Sequence, residues 1–346
     1  MFVLDHIAAA GATFVHELLA PGSAYSIFSL LSAAIIIVIS LVFKNGPKGR
    51  SIPLGSMVRR ILPRHIILHQ STLMDLKCFA VTLFVLNGVM QYAFLSYPFV
   101  KELVQSALTA GFGAVGPSTL SVVTLNTLLT LGLFLATEFA YWIDHVLSHR
   151  IPLLWEFHKT HHTAEVLTPL TNWRVHPVDS FVFGNITVLC CATTHAVVDF
   201  LSGREVGFYA ISSHNLIIVG FVLTLQHLQH THLWLSFRGV LGRLVSSPAH
   251  HQVHHSKLPQ HLGKNFGGNL ALWDWVFGTL YIPAKTREKL EFGVDGPYPH
   301  AHQIGKGFML PFAGAAATLT RQEAGRPVPG PALQSEAARA MLGAPG

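Results

Sequence analysis

The chain has few charged residues and few cysteines for its length. Only 12% of its 346 residues are Asp, Glu, Lys or Arg, whereas 50% are hydrophobic. This composition argues against a soluble domain and predicts an integral membrane protein. The three cysteines, Cys78, Cys190 and Cys191, lie inside apolar runs and lack metal-binding or disulfide spacing, so we expect neither disulfide bonds nor thiolate ligands.

Several catalytic and binding motifs are also missing. The sequence has no HExxH, which a zinc protease would need, and no Glu-x-x-His pair typical of soluble carboxylate di-iron bundles. It shows no flavin or nicotinamide fingerprint and no haem-binding module. Its net charge of +6 does not predict nucleic-acid binding, because the basic residues form no stripe with interleaved aromatics. They lie in loops between apolar runs instead, where they indicate membrane topology.

Long apolar runs are the main feature that the sequence does have. Runs at about 24–43, 78–97 and 120–143 are long enough to cross a bilayer core of about 30 Å. The region 181–225 is apolar but broken by a short polar stretch, which predicts a hairpin of two spans. The predicted fold is therefore all-α, a polytopic membrane protein with four to five transmembrane helices and a cytosolic, helical, histidine-rich site for two metal ions.

The lysines and arginines predict how the chain is oriented. If the N-terminus is outside, 21 of the 23 basic residues fall on the cytosolic side, as the positive-inside rule requires. The predicted organisation is an extracytoplasmic segment (1–23), transmembrane helices (24–143) with a basic cytosolic loop (44–77), a catalytic region (144–312) interrupted by the hairpin (181–225), and a flexible tail (313–346) rich in Ala, Pro, Gly and Glu.

Histidine is the residue in excess, with 22 in the chain, and the excess is clustered. His145 and His149 form an HxxxH motif, whereas His158, His161, His162 and His251, His254, His255 form two HxxHH motifs. On a helix, residues three or four apart share a face, so each motif can hold one ion from that face. Burying so many imidazoles together requires a compensating metal. Eight to ten histidines are too many for one ion, and the count predicts two.

Other histidines are assigned with less support from spacing. In the cluster His227, His230 and His232, one or two are predicted to bind metal, with His230 preferred. His176 and His250 could be metal ligands or could support a ligand. His195 and His214 lie within the hairpin, where packing or a substrate channel explains them better. Isolated histidines are interpreted as ordinary core or surface residues: His6, His16, His65, His69, His300 and His302.

These motifs and the sequences that follow them resemble a known family. The order HxxxH, HxxHH, a middle histidine and HxxHH, then Lys264–Asn269 and Trp273–Thr279, is similar to the fatty acid hydroxylase and sterol desaturase superfamily of membrane non-haem di-iron oxygenases. The likeness covers about Leu131 to Pro283. It implies that the metal ligands are His145, His149, His158, His161, His162, His230, His251, His254 and His255. It also implies that Asn269 and Asp274, in the segments after the last motif, shape the site or contact metal.

The resemblance implies an oxidoreductase that uses two iron ions, O2 and an external electron donor to oxidise a C–H bond of a lipid. Hydroxylation is preferred, and a desaturase with the same centre remains an alternative because histidine spacing does not separate the two. A membrane zinc hydrolase is less well supported, since the motifs contain no general-base glutamate. A metal transporter would carry its histidines and carboxylates along the spans instead of at one face.

Partners and location follow from the same features. The substrate is expected to be a fatty acyl, sterol or related lipid that reaches the site from the bilayer. Electrons are expected from a cytosolic ferredoxin, cytochrome or reductase that docks on the positive inner face. The lack of a retrieval signal at the C-terminal residues favours a bacterial inner membrane, with the active site facing the cytosol.

Overall fold

The computed structural model describes residues 15, 17–23, 25–45, 53–83, 93–294 and 301–323. Helices dominate this part of the chain, as the sequence predicts. The helices up to and including the one that carries the HxxxH motif are α1 (Ile27–Asn45), α2 (Leu54–Ile61), α3 (Arg64–Ile67), α4 (Gln70–Val81), α5 (Tyr97–Phe112) and α6 (Val122–Arg150). The later ones are α7 (Pro152–His162), α8 (Pro177–Ser202), α9 (Leu216–Val222), α10 (Gly239–Leu244), α11 (Pro248–His254), α12 (Leu272–Phe277) and α13 (Ile304–Glu323).

Two of the described helices, α6 and α8, are long and apolar enough to cross a membrane. They pack against each other, and α8 also packs against α5. Leu125, Leu129, Leu133 and Cys191 form the buried core between them. Ser121 caps α6, because its Oγ accepts a hydrogen bond from the Thr124 N–H at 3.1 Å. Since α6 continues without a break to Arg150, the HxxxH motif lies on the last turns of a helix that is long enough to span a membrane.

The end of α8 is fixed by a glycine. Gly203 has φ +63°, a left-handed conformation in which a side chain is strained, and a Cβ there would lie 2.4 Å from the Gly116 carbonyl oxygen. Nearby, Asp199 is fully buried and forms an ion pair with Lys101 of α5 at 2.6 Å. These contacts close the end of the α8–α5 pair that lies away from the histidine motifs.

The structure does not confirm four to five transmembrane helices. The apolar part of α1, Ile27–Val42, is shorter than a full span. The second predicted run, 78–97, includes residues 84–92, which lie outside the described residues; α4 ends before them and α5 begins after them. The three cysteines are free thiols, so no disulfide links the described residues.

The predicted return span of the hairpin is wrong. Instead of a second long helix, the chain forms strands β1 (Ala210–Ile211) and β2 (His214–Asn215), then the seven-residue helix α9. Ser212 and Ser213 join the strands with φ values of 48° and 66°, and two left-handed residues in a row interrupt any helix. The apolar composition of this region therefore predicted a long helix where the chain forms two short strands and a short helix.

The predicted boundary of the C-terminal tail also needs correction. Residues Ile304–Glu323 form α13, which packs along α7, so helical structure continues for eleven residues beyond position 312. The carbonyl oxygen of Phe308 accepts a hydrogen bond from His176 Nε2 at 2.9 Å. A Cβ on Gly314 would collide with the Glu156 carboxylate, so glycine allows α13 to approach α7 without displacing that side chain. Residues 324–346 lie outside the described part.

Candidate metal centre

Nine histidines converge in two adjacent groups. The first group is His145, His149, His158, His162 and His254, and the second group is His161, His230, His251 and His255. Within each group, one ring nitrogen from every histidine lies within 4.8 Å of the others. The rings of His162 and His255 connect the groups, with centroids 4.7 Å apart. These are the nine histidines that the sequence predicts as metal ligands.

Helix geometry explains how the histidines of the motifs are divided between the two groups. His145 and His149 are one turn apart on α6 and face the first group together. Neighbouring residues on a helix differ in direction by about 100°, so adjacent histidines at the end of an HxxHH motif diverge. His162 accordingly joins the first group and His161 the second.

The same division occurs in the second HxxHH motif. His254 joins the first group, whereas His251 and His255 join the second. Helix α11 carries this motif and is capped by Ser247, whose Oγ accepts from the His250 N–H at 3.4 Å. Each HxxHH motif therefore supplies nitrogens to both groups.

The inward nitrogens lie at distances that suit metal ligands. In the first group, Nε2 of His162 is 3.1 Å from Nε2 of His149 and 3.2 Å from Nε2 of His254. A first-row ion lies about 2 Å from an imidazole nitrogen, so two nitrogens bound at right angles are about 3 Å apart. The second group has the same spacing, with Nε2–Nε2 distances of 2.9 Å for His251–His230 and 3.2 Å for His230–His161.

Hydrogen bonds between the imidazoles alone cannot satisfy this arrangement. A carbonyl oxygen only accepts, so His254, whose Nδ1 lies 2.9 Å from the Lys264 carbonyl oxygen, must carry its proton on Nδ1. Its Nε2 then presents a lone pair to His162. A proton on His162 Nε2 can be donated to His254 or to His149 but not to both, and without that proton the His162 lone pair faces the lone pair of His254. A cation between the nitrogens removes this conflict.

Outer contacts fix the orientation of further rings in the first group. His145 Nδ1 donates to the Phe266 carbonyl oxygen at 2.8 Å, and His158 Nδ1 donates to Asp179 Oδ2 at 3.0 Å. Both bonds leave Nε2 free, and these two Nε2 atoms are buried without a hydrogen-bond partner among the described residues. A histidine held through one nitrogen by a carboxylate or carbonyl is typical of a metal ligand.

Burial keeps these imidazoles uncharged. It lowers the pKa of His230 and His254 to about 3. It also lowers the pKa well below the ordinary histidine value for His161, His162, His251 and His255, and the neighbouring imidazoles lower it further. At neutral pH these rings are therefore neutral, the form that binds a metal ion.

The loop after α11 is held against the first group by two buried carboxylates. Glu138 of α6 accepts hydrogen bonds from the backbone N–H groups of Asn269 and Leu270, both at 2.8 Å, and from the Asn269 side chain. Asp274 accepts from the N–H groups of Phe266 and Gly267 at 2.9 and 2.7 Å. The loop carbonyls of residues 264 and 266, which receive the histidine Nδ1 protons, are fixed in this way.

Comparison with known proteins agrees with this architecture. Residues 130–279, which contain all nine clustered histidines, match the family model described as fatty acid hydroxylase. Residues 130–279 are therefore similar to this family, and we refer to them below as the fatty acid hydroxylase domain. No solved structure shows significant similarity to it.

Relatives of the fatty acid hydroxylase domain are lipid-modifying enzymes by name. Alkylglycerol monooxygenase from Xenopus tropicalis is 28% identical over 167 residues, which is 47% of this chain and 32% of the relative. Ornithine lipid hydroxylase OlsE from Rhizobium tropici is 27% identical over 199 residues, 56% of this chain and 52% of the relative. Cholesterol 25-hydroxylase-like protein 2 from Danio rerio is 28% identical, covering 44% and 50%. The chain thus spans about a third to a half of these relatives.

The other possible metal ligands named in the sequence analysis lie outside both groups. His227 Nε2 contacts Ser29 Oγ at 2.9 Å, and His232 Nε2 contacts the Arg60 carbonyl oxygen at 2.9 Å. His176 caps α8 by accepting from the Val178 N–H, and His250 contacts Ser247. Of the middle cluster, only His230 joins a group.

Asn269 and Asp274, the two candidates after the last motif, hold the loop in place and do not reach the ring nitrogens. Asn269 donates to Glu138, and Asp274 holds the loop, so both contact the fatty acid hydroxylase domain's own backbone and side chains, not the ring nitrogens.

The isolated histidines lie elsewhere. His195 contacts the Tyr97 hydroxyl at 3.0 Å near the buried Asp199, and His214 lies on β2. His65, His69 and His302 are outside both groups. His6, His16 and His300 lie outside the described residues.

Sequence reasoning missed two important carboxylates of the domain, Glu138 and Asp179. Both lie in apolar helices, α6 and α8, and an ionisable residue within such a helix is a functional hypothesis by default. That signal could have identified them as candidates. Their partners could not have been identified, because Glu138 binds residues 131 and 132 positions away.

The contact between Asp179 and His158 yields a prediction. Asp179→Asn removes the charge that accepts the His158 proton, so we expect iron affinity and activity to fall by about 10- to 100-fold. Iron retained during dialysis against a chelator measures the change. Glu288→Gln is the matched control, because Glu288 faces His261, a buried histidine outside both groups, at 3.5 Å. Equal iron loss in both variants would contradict a specific role for Asp179.

Proposed function

We propose that the chain is a membrane-bound di-iron oxygenase that uses O2 to hydroxylate a C–H bond of a lipid. The observation that carries the proposal is the pair of adjacent histidine groups, whose inward Nε2 atoms lie 2.9–3.2 Å apart, the spacing expected of ligands to one ion. One ion would be held by the five histidines of the first group and the other by the four of the second group.

The donor set fits iron better than structural zinc. Structural zinc is normally four-coordinate and often uses cysteine, whereas both groups here consist of histidine alone and the first has five. Imidazole suits iron, copper, nickel and zinc, and an iron site in an oxygenase needs open positions beside its protein ligands. No carboxylate belongs to either group among the described residues, which disfavours a hydrolase with a metal-adjacent general base.

Iron bound in these groups would supply O2 activation and hydrogen abstraction from an unactivated C–H bond. The overall reaction consumes one lipid C–H, O2, two electrons and two protons, and gives the lipid alcohol and water. The chain's residues hold the histidine rings in one tautomer through the Phe266 and Lys264 carbonyls and Asp179. Their burial excludes bulk water, which limits side reactions of the activated oxygen.

An apolar groove between α6 and α8 supports a lipid as substrate. The cavity has a volume of about 520 Å³, and its lining includes Gly132, Leu135, Phe139, Leu189 and Trp273. Four of these residues lie on the two helices that are long enough to span a bilayer. Trp273 adjoins Asp274, which fixes the loop against the first group. An acyl or similar chain entering from the membrane would find a continuous apolar surface here.

Hydroxylation is favoured over desaturation by the relatives. The relatives named above are a monooxygenase and two hydroxylases by name. Electrons would come from a separate donor such as a ferredoxin, cytochrome or reductase. We propose that the site lies at the cytosolic face from the basic residues before the hairpin's return. In the predicted topology, the ten basic residues of 44–77 and 150–174 fall on the side where α6 ends, against Lys101 and Arg204 on the other side.

Labelled oxygen tests the proposal directly. The purified chain is reconstituted with iron, a lipid extract, and a ferredoxin with its reductase, and is supplied with ¹⁸O2. We expect a hydroxylated lipid that contains one ¹⁸O atom, detected by mass spectrometry. A product with a new double bond and no label would support the desaturase instead. Lipid cleavage without O2 consumption would support the hydrolase.

A further inference from the structure

A polar pocket lies outside both histidine groups, beside the start of α4. Its volume is about 350 Å³, at the lower end of the range for small-molecule sites. Its lining consists of Arg64, His65, Leu68, His69, Gln70 and Glu165. We refer to it as the Arg64 pocket. None of its residues contributes to the proposed metal centre.

The walls of the Arg64 pocket carry charges of both signs. Arg64 is exposed, and no described residue pairs with its guanidinium group. Glu165 also lines the pocket, and its carboxylate lies 3.8 Å from His69 Nε2 and 3.5 Å from His302 Nε2. Within residues 53–83, Asp75 is the only acidic residue, and it is paired with the buried Arg174 at 2.8 Å. Arg64 therefore has no acidic neighbour within its own segment.

Exposed apolar side chains adjoin these charges. Leu68 lines the pocket and is 69% exposed, and Leu62, just before α3, is 55% exposed. Val58 on α2 is also exposed, next to Arg59 and Arg60. Exposed leucines next to arginines on short helices are typical of segments that lie in the interface of a bilayer. The ligand of the pocket is therefore expected to come from the membrane and not from solution.

The Arg64 pocket is tied to the first HxxHH motif. The Glu165 N–H donates to Ser71 Oγ at 3.2 Å. Arg174 donates to the Ser71 carbonyl oxygen at 2.9 Å and to Thr163 Oγ1 at 3.3 Å. Glu165 lies only four residues after His161, so their Cα atoms are separated by at most about 14 Å. A molecule seated in the pocket is thus held close to the second group.

From these observations we propose that the Arg64 pocket binds the head group of a zwitterionic membrane lipid. The anionic group of the lipid contacts Arg64 and His65, and its amine contacts Glu165. The apolar chains leave the pocket past Leu68 into the bilayer. That this head group belongs to the substrate rests on the proposed oxygenase function, whereas binding itself does not.

Binding is measured by calorimetric titration of the iron-loaded, full-length chain in detergent. The three probes are dihexanoylphosphatidylethanolamine, which has phosphate and amine, dihexanoylphosphatidylglycerol, which has phosphate only, and dioctanoylglycerol, which has neither. We expect the ethanolamine lipid to bind at least about fivefold more tightly than the glycerol lipid, and dioctanoylglycerol to bind weakest. Arg64→Gln should weaken both phospholipids by about tenfold, as expected for loss of a charge-assisted contact.

Two variants make the result specific. Glu165→Gln should weaken the ethanolamine lipid and leave the glycerol lipid unchanged, which removes the preference. Arg59→Gln removes an equal charge from the same basic segment outside the pocket, so it should leave both affinities unchanged. Equal losses in Arg59→Gln and Arg64→Gln would show general surface attraction and overturn the proposal. So would full competition by inorganic phosphate, or equal binding of all three probes.

The binding test and the oxygenase test fail in different ways. Lipid titration requires neither O2 nor electrons, so an inactive protein that still discriminates among the three probes would overturn the oxygenase and leave the pocket assignment intact. Conversely, ¹⁸O incorporation that is unchanged in Arg64→Gln and Glu165→Gln, together with absent lipid discrimination, would overturn the pocket assignment alone.

Discussion

Replacement of His254 by alanine is expected to remove iron from the first group, and replacement of His251 is expected to remove it from the second. Each variant should therefore retain about one iron per chain where the parent retains about two. Hydroxylation should fall by at least about a hundredfold in both, since loss of a residue that merely supports a ligand already costs 10- to 100-fold. Elemental analysis of the purified protein and product quantification measure the two effects.

His232→Ala is the matched control for both variants. It removes an imidazole from the same region, but that ring contacts the Arg60 carbonyl oxygen outside the two groups. It should keep the parent's iron content. A single tightly bound zinc that survives His254→Ala would contradict the binuclear centre and favour the zinc hydrolase.

Asp274→Ala should give the largest loss of stability. The Asp274 carboxylate accepts from two backbone N–H groups, from Thr279 Oγ1 at 2.5 Å and from Trp142 Nε1 at 3.2 Å. Removing it leaves several buried donors without a partner, so we expect the free energy of unfolding to fall by about 4 kcal/mol. Denaturant unfolding of the detergent-purified protein measures it. Iron in the first group should also be lost, because the Phe266 carbonyl would no longer be held against His145.

Thr279→Val separates this effect from ordinary packing. It removes only one of the donors to Asp274 and keeps the side-chain shape, so the expected loss is about 1 kcal/mol. If Asp274→Ala were no less stable than Thr279→Val, the carboxylate would not be the anchor of the loop.

The histidine positions were the most predictable part of the molecule. Spacings of three and four residues define a helix face without knowledge of the fold, and the structure gathers the nine predicted histidines into two groups. His230 was preferred over His227 and His232, and of these three the structure places His230 in the second group. Whether the nine bind iron remains a prediction that the variants above test.

Long-range partners and local backbone turns could not be predicted in the same way. The three hydrogen bonds that Glu138 accepts come from residues more than 130 positions away, and no local pattern encodes such a distance. The region after Gly203 was predicted as a span because composition averages over a window, whereas two left-handed serines decide its backbone. The second half of α13, from position 313, was assigned to a tail because residues 313–346 are rich in Ala, Pro, Gly and Glu, yet the helix packs against α7.

The division of adjacent histidines between the two groups fixes the distance between the two proposed ion positions. His161 and His162 are joined by one peptide bond, as are His254 and His255, and each pair reaches both groups. Two bound ions would therefore have their separation fixed twice by covalent geometry, independently of how the helices drift against one another. Insertion of a single residue between either pair would change that separation, whereas substitutions in the surrounding core would leave it almost constant.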